Sequence, residues 1–280
     1  MDIHPDFYME YSIGPVAIDM PTAILRMRIP QGFVVVADGR TTNSLMEPVE
    51  DGDAAQKIFD IGGGGHHIAC SLAGAVQPSS FFHFAKEIVR VSPDLSTRKC
   101  RNLFGYAVRL STEVNKSLHE AKRAGLIKEF PTGVSPDQTP GANEGIATVF
   151  LDAFYNGTPQ RASIIFRHKD QRLLSPDVVA EPATVGVRLV LGADAVTDLF
   201  FDSSDHRFAA YRTESHKKGP QKDPTLDDIG NYLKGYIAAC SDPEALKLNP
   251  RCAMIGGRVH IAEVTPEGFR WQIPPLGIQA

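Results

Sequence analysis

The sequence predicts a mixed α and β fold, with two sheets packed face to face and helices outside them. Three observations carry that expectation. Short apolar runs rich in Val, Ile and Ala occupy residues 33–38 and 66–73, two amphipathic helical stretches follow, and strand patterning then resumes and ends in a C-terminal hairpin. No composition shift marks a domain boundary and no internal repeat is visible.

The first element opens at Thr22 with Thr-Ala-Ile-Leu-Arg-Met-Arg and returns from Gly32 to Asp38. Reading Ile29-Pro30-Gln31 as a three-residue turn sets Arg28 opposite Gly32 and Thr22 opposite Asp38. Their side chains would then share one face, about 5 Å apart. The glycine run at 62–65, between Ile61 and His66, reads as a hairpin connection. It lacks the Gly-Lys-Ser/Thr that a phosphate-cradling loop needs.

Ser79 or Ser80 can cap a first helix, in which Phe81, Phe84, Ala85, Ile88 and Val89 form one stripe. Ser96 is the expected cap of a second, where Leu103, Ala107, Leu110, Val114, Leu118 and Ala121 keep a helical rhythm and Gly125 supplies a left-handed stop. Residues 130–144 turn to Pro, Gly and polar types and read as a long surface loop. Strands are expected at 146–154 and 161–168, joined across Asn156-Gly157-Thr158-Pro159, and at 185–191. Residues 203–224 read as loop. Thr225 caps a helix that runs to about Ala239, and 258–264 and 269–273 form the closing hairpin around Pro266-Glu267-Gly268.

Composition narrows the function classes. Hydrophobic content of 42% and charged content of 22% fit a globular chain with a sizeable core, and a net charge of −4 gives no footprint for nucleic acid. No apolar run reaches membrane-helix length. Residues 1–21 carry Asp2, Asp6, Glu10 and Asp19 but no Lys or Arg, which is not a secretory signal. Cys70, Cys100, Cys240 and Cys252 lack metal-type spacing and read as reduced thiols of a cytoplasmic protein. His66, His67 and His168 likewise show no ligand spacing, so neither a metal nor a cofactor is expected.

Thr22, Asp38 and Lys57 form the candidate site. A hydroxyl, a carboxylate and an ammonium suit an N-terminal nucleophile: once the preceding peptide is cut, the threonine hydroxyl attacks and its own freed amine takes the proton. Each residue also has a plain reading. Thr22 is a good strand residue, Asp38 a turn former before Gly39-Arg40, and Lys57 a solvated lysine after a polar stretch.

The stretch from Thr22 through "GFVVVADGRTTN" to "DAAQKIFDI", "HHIACSLAGAV" and "MIGGRVHIAEVTPEGFRW" resembles the proteasome β-type subunits and their bacterial relatives, which are N-terminal nucleophile hydrolases. The match is firm over 22–76 and returns at 254–271, as in a divergent, bacterial-type member. The resemblance implies a four-layer αββα sandwich over 22–280, with 1–21 as an extension or propeptide. It implies Thr22, Asp38 and Lys57 as catalytic residues, and backbone N–H groups of the turn Leu72-Ala73-Gly74, that of Ala73 first, as the oxyanion hole. It further implies a peptide or small-amide substrate and a ring-like homo-oligomer. No feature of the chain specifies an ATP-driven unfoldase partner.

The chain departs from the pattern at four places. Ala193 stands where active members carry a serine, Cys252 and Ile255 replace an Asp and a Ser before Gly256-Gly257, and Pro21 replaces the glycine before the nucleophile. Asp194 and Cys252 are the candidate substitutes for the orienting groups, although Cys252 also reads as a small buried hydrophobe. The leading expectation is a threonine-type peptidase. Its competitors are a non-catalytic structural subunit that keeps residues 1–21 and a hydrolase of small amides.

Overall fold

The computed structural model describes residues 22–41, 52–75, 77–96, 100–130, 144–202, 204–213 and 223–277. Its strands are β1 (Ile24–Ile29), β2 (Gly32–Ala37), β3 (Ile58–Asp60), β4 (His67–Gly74), β5 (Glu144–Tyr155), β6 (Thr158–Lys169), β7 (Arg172–Leu173), β8 (Asp177–Glu181), β9 (Arg188–Leu191), β10 (His260–Thr265) and β11 (Gly268–Ile273). Its α-helices are α1 (Phe84–Ser96), α2 (Leu103–Arg123), α3 (Asp194–Phe201), α4 (Leu226–Cys240) and α5 (Pro243–Leu248). The chain is thus of the α+β class with two antiparallel sheets. One has the order β11-β10-β2-β1-β9; the other runs β3-β4-β5-β6-β7, with β8 also paired to β6.

The first hairpin differs from expectation by one residue. Its turn is Pro30-Gln31 alone, and Ile29 stays in the ladder opposite Gly32. Proline presets φ for the first turn position, and β-branched Ile29 favours the strand. The slip brings Asp38 level with Ala23 rather than Thr22, and the Asp38 N–H donates to the Ala23 carbonyl at 3.1 Å.

The helices also correct two caps. Ser96 ends α1, and Asn102 caps α2 by accepting from the Gly105 N–H at 2.9 Å. The Ser79 hydroxyl accepts from Phe81 and Phe82 in a turn ahead of α1. Other signals hold. Gly125 adopts φ +71 after α2, and the N–H groups of Gly125 and Leu126 return to Lys122 and Ala121 as in a Schellman closure. Thr225 and Asp228 form a reciprocal capping box on α4. The strand expected over 185–191 narrows to β9, the expected loop over 130–144 falls largely outside the described residues, and the described part of 203–224 includes a short 3-10 helix at Ala209–Tyr211.

Three buried clusters follow from strand alternation. Ile68, Cys70 and Leu72 of β4 and their neighbours on β5 and β6 pack against α1 and α2. Leu25, Met27, Val34, Val36 and Ile261 pack against α3, α4 and α5. The opposite faces of the two sheets meet through Ile24, Phe33, Val35, Ala37, Ala69, Ala73, Phe150, Phe154, Ala262 and Val264. Among the described residues, no helix is long and apolar enough to cross a membrane.

Charge also bridges the sheets. Arg26 of β1 donates to Asp152 of β5 at 2.7 Å, Arg161 of β6 donates to the other Asp152 oxygen at 2.8 Å, and Glu181 of β8 lies 2.8 Å from Arg26. Burial alone would raise the Asp152 pKa, but the two guanidiniums win and hold it below the usual carboxylate range. Its contribution to stability is therefore present at neutral pH and lost as pH falls through the depressed folded value. Asp152→Ala should cost about 3–5 kcal/mol in urea unfolding, because it leaves two buried arginines facing a single carboxylate. The variant should also lose less of its remaining stability on acidification than the parent, which unfolding midpoints measured from neutral pH downwards would check.

Candidate active site

Thr22 continues the alternation of β1 on the side of Ile24, which faces the second sheet. Asp38 follows the last residue of β2, and Lys57 immediately precedes β3 of the other sheet. All three are buried. The Lys57 ammonium donates to Asp38 Oδ1 at 2.7 Å and to Thr22 Oγ1 at 3.4 Å. Three residues far apart in sequence thus meet where the two sheets join.

The Asp38 carboxylate has further partners. The Ala23 N–H donates to Oδ1 at 2.9 Å, and the Gly256 N–H to Oδ2 at 3.2 Å. Burial is the largest influence on its pKa and leaves it above the usual carboxylate value; Lys57 and the two backbone donors offset only part of that rise. The Gly256 segment is itself fixed on this end of the sheet. Its carbonyl accepts from the N–H groups of Gly39 and Arg40, while the Arg40 side chain reaches Asp53 at 2.8 Å and the Ala253 carbonyl at 2.8 Å. Gly257 adopts φ +73, and a Cβ there would come within 2.5 Å of the Asp53 carbonyl oxygen, so this approach requires glycine. Sequence reasoning used the Gly-Gly pair only as a landmark and missed Gly256 as a donor and Arg40 as a clamp. The pair of glycines was the available signal.

The remaining candidates lie at varying remove. Ala73 is buried in β4, and Gly74 ends that strand with φ +95. Asp194 is exposed in the first turn of α3. Beside it, the Ala193 N–H donates to Tyr236 Oη at 2.8 Å, and the Thr197 hydroxyl is bonded to the same oxygen at 3.1 Å, so a tyrosine hydroxyl from α4 occupies the neighbourhood of Ala193. Cys252 is buried and shares a hydrogen bond with Cys240, which holds the Cys252 thiol below its ordinary pKa. Ile255 is buried with the α4 cluster. Pro21 lies outside the described residues.

No family model and no curated protein matches the sequence. Solved structures to which the chain is similar include Anbu (ancestral beta-subunit) from Yersinia bercovieri, at 12% identity and a TM-score of 0.49, covering 92% of this chain and 88% of that one. Another is a helical assembly of the Anbu complex from Pseudomonas aeruginosa, at 12% identity and a TM-score of 0.48, covering 92% and 86%. These findings correct the resemblance read from the sequence. The similar chains are Anbu proteins rather than the proteasome β-type subunits that the motifs pointed to.

Lys57→Met should strand a buried carboxylate without its cation, and stability should fall by about 3–5 kcal/mol. Adding Asp38→Asn should recover a substantial part of that loss, because an amide needs no counter-charge. Urea titration of both single variants and the double variant gives the coupling; strictly additive losses would mean that the pair is not energetically linked.

Proposed function

We propose that Thr22 is the nucleophile of a threonine-type amide hydrolase, most directly a peptidase, after the bond between Pro21 and Thr22 is cut and residues 1–21 are released. The observation that carries this reading is the single buried ammonium of Lys57, which serves both the Thr22 hydroxyl and the Asp38 carboxylate. Threonine in an ordinary strand needs no buried cation at its hydroxyl. On this reading the protein is a four-layer αββα sandwich, with the site at one end of the space between its sheets.

The steps follow from these groups. Cleavage frees an α-amine with a reference pKa of about 7.7–8.0, which the nearby Lys57 charge lowers into the range of a general base at neutral pH. The amine takes the hydroxyl proton as Oγ1 attacks the substrate carbonyl. It returns that proton to the leaving nitrogen as the amide C–N bond breaks, and water then hydrolyses the acyl ester. Asp38 holds the Lys57 ammonium in place.

The developing oxyanion needs a donor at the end of β4. The Leu72 N–H bonds to the Lys57 carbonyl and the Ala75 N–H bonds to the Ile146 carbonyl. Strand alternation therefore aims the Gly74 N–H towards the Lys57 side and the Ala73 N–H towards β5. This favours Gly74 as the donor.

A second reading concerns assembly. Phe81 is 73% exposed while adjacent Phe82 is buried, and Val89, Phe104 and Val108 add apolar surface on α1 and α2. This supports self-association of the chain through its first helix pair. Light scattering at micromolar concentration should give a mass above the monomer, and Phe81→Glu should lower it without unfolding the protein.

Intact-mass measurement should find a species beginning at Thr22. Thr22→Ala should abolish both that species and the hydrolysis of peptide amides, and Thr22→Ser should retain partial activity. Lys57→Ala should reduce activity nearly as far as Thr22→Ala. A folded, full-length protein that still carries residues 1–21 and hydrolyses nothing overturns the proposal in favour of a structural role.

A further inference from the structure

The helices α1 and α2 pack on one sheet, α3, α4 and α5 pack on the other, and the remaining faces of the two sheets meet. The two groups of helices therefore look outwards in opposite directions. Their solvent faces carry opposite charge. Among the described residues of 84–130, seven exposed Lys or Arg stand against three exposed Asp or Glu. Among those of 194–248, six exposed Asp or Glu stand against three exposed Lys or Arg. A chain with a net charge of −4 thus has one positive and one negative outer surface.

Each surface also shows apolar side chains to solvent. Phe81 stands exposed just ahead of α1, Val89 lies on α1, and Phe104 and Val108 are one turn apart on α2. On the opposite side, Leu246 and Leu248 of α5 are exposed. A protein contact combines such an apolar centre with charge matched across it. Charge decides which surface meets which. A two-fold contact of the first helix pair with itself would set an excess of four cations against another four, and the second group with itself three anions against three. Like charges brought into contact cost energy, and within the ~8 Å Debye length of physiological salt they are not screened away. Only the pairing of unlike surfaces turns that repulsion into attraction.

We infer that the positive surface of α1 and α2 in one copy of this chain docks on the negative surface of α3, α4 and α5 in the next. This rests on the reading of the first helix pair as a surface of self-association and names what covers it. Two unlike surfaces that meet leave one of each free on the resulting pair. A third copy can therefore add at either end, and association runs past the dimer. A two-fold contact would stop there.

Light scattering of the purified full chain over a range of concentrations should give a mass that passes twice the 30.5 kDa of the monomer. Lys86→Glu, Arg109→Glu and Lys116→Glu together make the first surface negative, and Asp198→Lys, Asp227→Lys and Glu244→Lys make the second positive. Each triple variant alone should fall to the monomer mass with an unchanged circular dichroism spectrum. Mixed in equal amounts they should associate again, because one then carries two negative surfaces and the other two positive ones. If a triple variant does not fold, Arg109→Glu and Asp198→Lys carry the same test through a smaller loss of mass and its recovery on mixing. A parent mass that stops at the dimer, or dissociation of both variants without recovery on mixing, overturns the pairing. Dissociation of the first-surface variant but not of the second overturns it too, while leaving the first helix pair as the contact. A parent chain that stays monomeric overturns both readings.

Discussion

The ion pair between Lys57 and Asp38 is the contact on which the rest of this end of the molecule depends. An ammonium loses its hydration when it is taken between two sheets, and only a close counter-charge with further hydrogen bonds compensates for that loss. Asp38 meets the condition because it sits where β2 leaves the ladder. There its side chain is free to turn towards Lys57 and to collect the N–H groups of Ala23 and Gly256 as well. The strand before Asp38, the segment around Gly256 and the start of β3 must all be in place for one carboxylate to hold them. Stability of the sheet junction and geometry of the candidate site are therefore a single property.

The same logic extends along the space between the sheets. Beside its apolar contacts, Arg26, Arg161 and Asp152 are buried there, with half-buried Glu181 against Arg26. Arg26 lies over the Phe150 ring and Arg161 over the Phe33 ring, so each guanidinium has an aromatic face as well as a carboxylate. A buried network of this kind constrains how one sheet sits on the other, because sliding by one residue would leave its charges unpaired. That precision matters to a site whose hydroxyl comes from one sheet and whose ammonium comes from the other.

Much of the architecture was legible where one local rule decided the outcome. The Thr225-x-x-Asp228 box, the Gly125 stop and the alternation of 33–38 each needed only their own neighbours. The readings that missed depended on something further away. Counting three residues between Arg28 and Gly32 predicts Ile29 in the turn, whereas the ladder to β2 gains by keeping Ile29 paired. The α3 helix was missed because Ala193 offers no side-chain cap; Tyr236, 43 residues on, supplies the hydroxyl that takes its N–H. The β8 strand was hidden because it alternates only weakly at an exposed edge, where pairing to β6 rather than burial defines it.

The grouping of the candidate residues was legible in the sequence, but their arrangement was not. Thr22, Asp38 and Lys57 were singled out together, and they do lie together, but not through the cross-strand pairing expected of Thr22 and Asp38. The one-residue shift sends Asp38 to the backbone of Ala23, so the carboxylate fixes the residue after the threonine, and the link to the hydroxyl passes through Lys57. For the proposed nucleophile, that arrangement is better suited than direct contact would be. A carboxylate touching Oγ1 would compete for the hydroxyl proton, whereas an ammonium between them presents positive charge to the oxygen and to any amine freed at the same residue. The shift that removes the direct pairing leaves Lys57 as the group that bonds to both side chains.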